Sequence, residues 1–60
     1  MSDMEEFVKM IDDIQIALDI AKASLRNHDT NNAMYNIDHA DIDLNFLRVK
    51  LLNIKYGGTE

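Results

Sequence analysis

Cysteine, proline and tryptophan are absent from this 60-residue chain, and its only two glycines are adjacent, at Gly57 and Gly58. Without cysteine the chain can form no disulfide, and two histidines without thiols are a poor basis for a structural zinc site. Without proline or glycine before residue 57, nothing interrupts a helix there. These absences favour continuous helices and exclude the cross-links on which many small proteins rely.

The chain is also short of core. For 6.9 kDa, folding removes about 6,000 Å² of surface from water, of which about 60% is apolar, and at about 25 cal/mol/Å² this burial is worth about 90 kcal/mol. Ordering the chain costs about 1.5 kcal/mol per residue, or again about 90 kcal/mol. The balance is close to zero, so we expect the chain to bind further copies of itself.

Basic residues are few. Eleven acidic residues against six basic ones give a net charge of −5, which argues against direct binding of nucleic acid or of anionic membranes. No apolar run approaches the roughly 18 residues of a membrane-spanning helix. The acidic start of the chain also differs from the basic start of a signal peptide. We therefore expect a cytoplasmic protein.

Two series of apolar residues recur at alternating steps of three and four, which predicts two amphipathic helices with coiled-coil-like packing. The first series is Met4, Phe7, Ile11, Ile14, Leu18, Ala21 and Leu25, and the second is Ala33, Ile37, Ala40, Leu44, Leu47, Leu51 and Ile54. The fold class is therefore all-α, with one helical-hairpin domain over residues 1–60. We expect helix 1 over about 3–27, a turn at 28–30, helix 2 over about 31–56 and a frayed tail at 57–60, with Ser2 or Asp3 capping helix 1.

A turn this short makes the two helices antiparallel neighbours. One constant register then places Leu18 opposite Ala40 and Ile37 opposite Ala21, so that both alanines face a larger aliphatic side chain. Asp29 or Thr30 is expected to cap helix 2. This register predicts that both apolar series pack against each other along their whole length.

Helix 2 carries a second apolar stripe on the side opposite its predicted contact with helix 1, and a helix that is apolar on two faces is buried on two faces. Its members are Tyr35, His39, Ile42, Phe46, Val49, Leu52 and Tyr56. We interpret this stripe as a self-association surface that forms a helical-bundle homo-oligomer, a four-helix dimer. The alternative is that the stripe binds a different protein.

Catalytic signatures are missing, because the chain has no cysteine nucleophile, no Gly-x-Ser-x-Gly and no phosphate-binding glycine-rich loop. His39 and Asp43 are spaced to share a divalent cation on a helix, but a single such pair arises easily by chance. We interpret His39 as an interface residue and His28 as a complement to the dipole of helix 1. We expect no enzyme, no cofactor and no metal site.

The outer face of helix 1 is acidic. Glu5, Asp12 and Asp19 recur every seven residues, beside the apolar pair Ile16 and Ile20. This face is the candidate surface for a partner protein. Ordered carboxylates can also imitate the phosphates of a nucleic acid, whereas most charged rows opposite a coiled-coil contact are simply solvated.

These observations predict a small acidic interaction protein, an inhibitor or adaptor that binds and modulates another protein. Chains of this size and charge suit proteins encoded by phages or mobile elements, including anti-defence proteins, which act in the host cytoplasm. The first alternative is an oligomeric module that binds a signalling nucleotide. Tyr35, Phe46 and Tyr56 would stack on its base and Arg48, Lys50 or Lys55 would meet its phosphates. The second is an acidic mimic of nucleic acid.

Overall fold

The computed structural model describes residues 2–57, with side chains from residue 4 onward. Helix α1 spans Ser2–Arg26 and helix α2 spans Thr30–Leu52, and a π-helical turn at Asn53–Gly57 continues α2. The two helices pack against each other, and residues 2–57 contain no strand. The predicted all-helical hairpin is confirmed. The side chains of Ser2 and Asp3, expected to cap α1, and the predicted tail beyond Gly57 lie outside the described residues.

The turn between the helices is a Schellman motif built on a histidine. His28 adopts the left-handed conformation with a φ of 60°. The amide of Asp29 donates to the carbonyl of Ser24 at 2.8 Å, and the amide of His28 donates to the carbonyl of Leu25 at 3.0 Å. This pair of hydrogen bonds satisfies two of the carbonyls left free at the end of α1 and turns the chain back.

The start of α2 is tied to the end of α1 by side chains. Asp29 is the N-cap residue, and its carboxylate accepts a hydrogen bond from the amide of Asn32 at 3.1 Å. The side-chain amide of Asn32 donates to the Ser24 hydroxyl at 2.7 Å. Because Ser24 is buried, this bond fixes the two helices to each other beside the turn.

The line of contact between the helices differs from the predicted one. Of the two predicted series, Phe7 is half-buried and Ile14, Ala21, Ala33, Ala40 and Leu47 are buried. The other members are between 37% and 53% exposed: Met4, Ile11, Leu18, Leu25, Ile37, Leu44, Leu51 and Ile54. These eight residues therefore lie at the edge of the contact rather than at its centre, where the prediction placed them.

The helices are rolled toward one flank of the predicted contact. We count heptads from Met4 as position a in α1 and from Ile37 as position a in α2. The buried apolar residues of both helices then occupy position d, and the flank beside them is position g. On that flank Met10, Ala17, Asn36 and Asp43 are half-buried and Ser24 is buried. In an antiparallel pair the g positions of both helices lie on the same side, so the exposed a positions of both helices lie together on the opposite side.

Side-chain size accounts for this roll. Near the turn, the d and g positions carry small residues, namely Ala17, Ala21, Ser24, Ala33 and Ala40. The a positions of the two helices are all large, from Met4 to Leu51. Two helices make a single line of contact, and they come closest where the side chains are smallest. The small residues therefore take the contact, and the large ones are left beside it.

The far end of α2 changes its winding. A π-helical turn is wound more widely than an α-helix, with hydrogen bonds that reach five residues back, so residues after Leu52 no longer follow the period of the α-helix. Ile54 is accordingly 39% exposed and Tyr56 is 75% exposed. The hairpin measures 45 × 18 × 10 Å overall. Neither described helix has a stretch long and apolar enough to cross a membrane.

Candidate interaction surfaces

One apolar surface of the hairpin is formed by the a positions of both helices, and we call it the open face. It consists of Met4, Ile11, Leu18 and Leu25 from α1 and Ile37, Leu44 and Leu51 from α2. All seven side chains are aliphatic or thioether groups, without a hydrogen-bonding N–H or O–H. The sequence reasoning missed this surface because it assigned the same residues to the contact between the helices.

A shallow groove lies along the α2 side of the open face. Leucines form most of its lining, and polar side chains stand at its border. The lining residues are Leu44, Asn45, Leu47, Arg48, Leu51, Leu52 and Lys55. The groove therefore extends the open face toward the π-helical turn and gives it a basic border.

The predicted self-association stripe is exposed on the outer side of α2. Its most exposed members are Tyr56 at 75%, Ile42 at 65% and Tyr35 at 62%. The rings of Tyr35 and His39 lie 5.2 Å apart with planes tilted by 59°, as two aromatic residues one turn apart on a helix can do. The structure thus gathers the stripe on the outer side of α2, and the stripe meets the groove of the open face at Leu52.

Two lysines of α2 and its π-helical turn lie over aromatic rings of this stripe. The ammonium group of Lys50 is 5.1 Å from the centroid of Phe46, and that of Lys55 is 5.2 Å from the centroid of Tyr56. Exposed cation–π contacts of this kind are worth about 0.5–1 kcal/mol each. A base stacking on either ring would have to displace a lysine, which could then meet the phosphates.

The candidate partner surface lies on the outer face of α1. Glu5, Asp12 and Asp19 are exposed, and so are the two isoleucines beside them, Ile16 at 57% and Ile20 at 44%. The structure therefore brings these five residues onto one solvent-facing surface that combines carboxylates with aliphatic groups.

His39 and Asp43 are not part of a larger ligand cluster. Among the described residues, no group of three or more histidine and carboxylate side chains could hold a metal ion. His39 is exposed and Asp43 is half-buried on the contact flank of α2. His28 closes the turn through its backbone. Its position in the sequence suggested a different role, that of a charge that complements the dipole at the end of α1.

Comparison with known proteins returned no match: no family model, no curated protein and no solved structure is similar to this chain.

Proposed function

We propose that this protein is a small acidic interaction protein without enzymatic activity, a helical-bundle homo-oligomer that binds and modulates another protein. In this proposal the assembly is a four-helix dimer, and the outer face of α1 meets the partner. The mode of action is that of an inhibitor or adaptor, and its size and charge fit a product of a phage or mobile element that acts against host defence in the cytoplasm.

One observation carries the proposal: apolar surface is exposed on several sides of the hairpin. Eighteen large apolar side chains of the described residues are at least 37% exposed. Contiguous apolar patches of this extent are typical of surfaces that bind other proteins. Three apolar surfaces point in different directions: the open face, the stripe on the outer side of α2, which we call the aromatic stripe, and the isoleucine pair Ile16 and Ile20. A self-contact through one of them therefore leaves apolar surface exposed for a partner protein.

The experiment that tests the proposal is affinity capture with matched variants. The tagged parent and an Ile16→Ser, Ile20→Ser variant are incubated with extract of the native host, and bound proteins are quantified by mass spectrometry. We expect one protein to be retained by the parent and reduced at least about tenfold by the variant, since two central apolar contacts are lost. The captured protein, once purified, should bind the parent directly.

Met34→Ser is the matched control, because Met34 is a large apolar residue that is 58% exposed on the other helix. It should capture the partner like the parent. A capture profile identical for the parent and both variants would contradict the role of the isoleucine pair. The absence of any partner that binds the purified parent would contradict the proposal as a whole.

The lysine–ring contacts favour one second candidate, an oligomeric module that binds a signalling nucleotide. Lys50 with Phe46 and Lys55 with Tyr56 place cations and stacking surfaces side by side. With two tyrosines and no tryptophan, the protein itself absorbs weakly, so a bound nucleotide would be conspicuous at 260 nm. Absorbance that leaves the freshly purified protein on denaturation, and is lost in Lys50→Gln, would support this candidate over the first.

A further inference from the structure

We propose that the open face, rather than the aromatic stripe, is the surface through which two copies of this chain associate. The inference rests on the homo-oligomer proposed above and names the residues that form it. The open face of one copy is covered by the open face of a second copy. Leu18, Leu44 and the other open-face residues then form the core of the four-helix dimer.

The first argument is surface area. A folded monomer of 6.9 kDa exposes about 4,000 Å², whereas this hairpin exposes 4852 Å². The excess is therefore about 850 Å². A protein–protein interface of standard size removes about 800 Å² from each partner. Covering one side of the hairpin with a second copy thus brings its exposed surface to the value normal for a folded chain.

The second argument is the chemistry of the two candidate faces. The seven side chains of the open face carry no N–H or O–H group, so burying them leaves no polar atom without a partner. The stripe carries the polar ends of Tyr35, Tyr56 and His39, and two of its rings already have lysines over them. Burying the stripe would desolvate these groups, which makes the open face the cheaper surface to remove from water.

The third argument is the charge along the border of the open face. At position e, which borders the open face, α1 carries Val8, Gln15 and Lys22, and α2 carries Asp41, Arg48 and Lys55. A two-fold axis along the hairpin lays α1 of one copy on α2 of the other with both turns at the same end. Lys22 of one copy then lies opposite Asp41 of the other, and Arg48 and Lys55 lie opposite uncharged residues. A face bordered by both signs is complementary to itself.

The last argument is the spacing of the apolar residues. In the two-fold arrangement, the open-face residues of α1 in one copy alternate with those of α2 in the other at steps of three and four. This alternation is the spacing at which side chains of neighbouring helices interdigitate in a bundle. The row of large residues left out of the contact within one chain therefore has the period needed for a contact between chains.

The test compares two aspartate substitutions on the same helix. Leu44 is 44% exposed on the open face and Phe46 is 57% exposed on the stripe. Sedimentation equilibrium gives the mass of the parent, of Leu44→Asp and of Phe46→Asp. We expect Leu44→Asp to raise the dissociation constant at least about a hundredfold, since each dimer would bury two unpaired carboxylates. Phe46→Asp should sediment like the parent.

A second measurement covers the case in which Leu44→Asp unfolds. The chain has no cysteine of its own, so Leu44→Cys and Phe46→Cys each carry one thiol, and their rates of reaction with a thiol reagent are compared above and below the dissociation constant. We expect the thiol at residue 44 to react at least about tenfold more slowly in the oligomer, and that at residue 46 to react equally fast in both states.

The outcomes separate this inference from the proposed function. If Phe46→Asp dissociates the oligomer and Leu44→Asp does not, or if only the thiol at residue 46 is protected, the aromatic stripe is the self-contact. The inference would then be wrong, and the four-helix dimer would stand. A parent that sediments as a monomer at every concentration would overturn both the inference and the proposed assembly, and leave the partner capture to be judged separately.

Discussion

His28 shows how much one residue contributes to the geometry of the hairpin. It occupies the left-handed position that ends α1, where glycine is the usual residue because a Cβ atom clashes with the backbone. The two hydrogen bonds of the Schellman motif hold it there. The sequence identified the polar turn and limited the cap of α2 to Asp29 or Thr30. It did not reveal which turn residue takes the positive φ, since histidine, asparagine and aspartate all enter this region.

We predict that His28→Gly stabilises the hairpin by about 1 kcal/mol, because glycine removes the steric cost of the left-handed conformation. Urea denaturation followed by circular dichroism, at one fixed protein concentration, measures the change. Asn27→Gly is the control, since residue 27 precedes the left-handed position; it should lower stability by about 0.5–1 kcal/mol. A loss of stability in His28→Gly would contradict the strain assigned to this residue.

At the scale of the helices, the sequence predicted the elements better than their contact. Heptad spacing specifies which side of each helix is apolar, and it placed both helices and their antiparallel pairing. It does not specify toward which flank of that apolar side the other helix packs. Side-chain size held that information, because Ala17, Ala21, Ala33 and Ala40 are small while Leu18 and Leu44 are large. The π-helical turn after Leu52 was not predicted either, since the apolar spacing continues through Ile54.

We predict that Ala40→Leu destabilises the hairpin by about 1–3 kcal/mol, because Ala40 is 2% exposed and the contact has no space for a larger side chain. Shortening Leu18 to alanine in the same chain should not restore the loss, since Leu18 is 44% exposed on the open face whereas Ala40 is buried. Thermal unfolding of the single and double variants measures both effects.

Ala23→Leu is the control for this prediction, because Ala23 is exposed on α1 and its replacement should change stability by no more than about 0.5 kcal/mol. Full rescue of Ala40→Leu by Leu18→Ala would restore the register predicted from the sequence, in which those two residues face each other, and would contradict the rolled contact.

As a whole molecule, the hairpin is extended. Its radius of gyration is 14.1 Å, compared with about 10 Å for a compact chain of this length. The composition already indicated that a single chain is only marginally stable, because the free energy gained by burying apolar surface and the entropic cost of ordering the chain nearly cancel. What the sequence could not specify is which apolar residues stay exposed once the two helices have packed. This follows only from the packing, which leaves the a positions of both helices exposed.

The acidic residues of α1 give the final prediction, which concerns the complex with the partner protein. Changing Glu5→Gln, Asp12→Asn and Asp19→Asn together should leave the helix content unchanged, because these side chains are exposed and each change alters stability by at most about 0.5 kcal/mol. Binding to the captured partner should weaken about tenfold, as expected for three exposed charge pairs.

Salt provides the matching control. Since exposed charge pairs are screened over about 10 Å at 0.1 M salt, the parent complex should weaken as salt is added, and the triple variant should respond less. Titration calorimetry at several salt concentrations compares the two. Parent binding that neither salt nor the triple variant alters would exclude mimicry of nucleic acid, because a mimic acts through its carboxylates. The partner would then be held by the isoleucine pair, whose apolar contact is insensitive to screening.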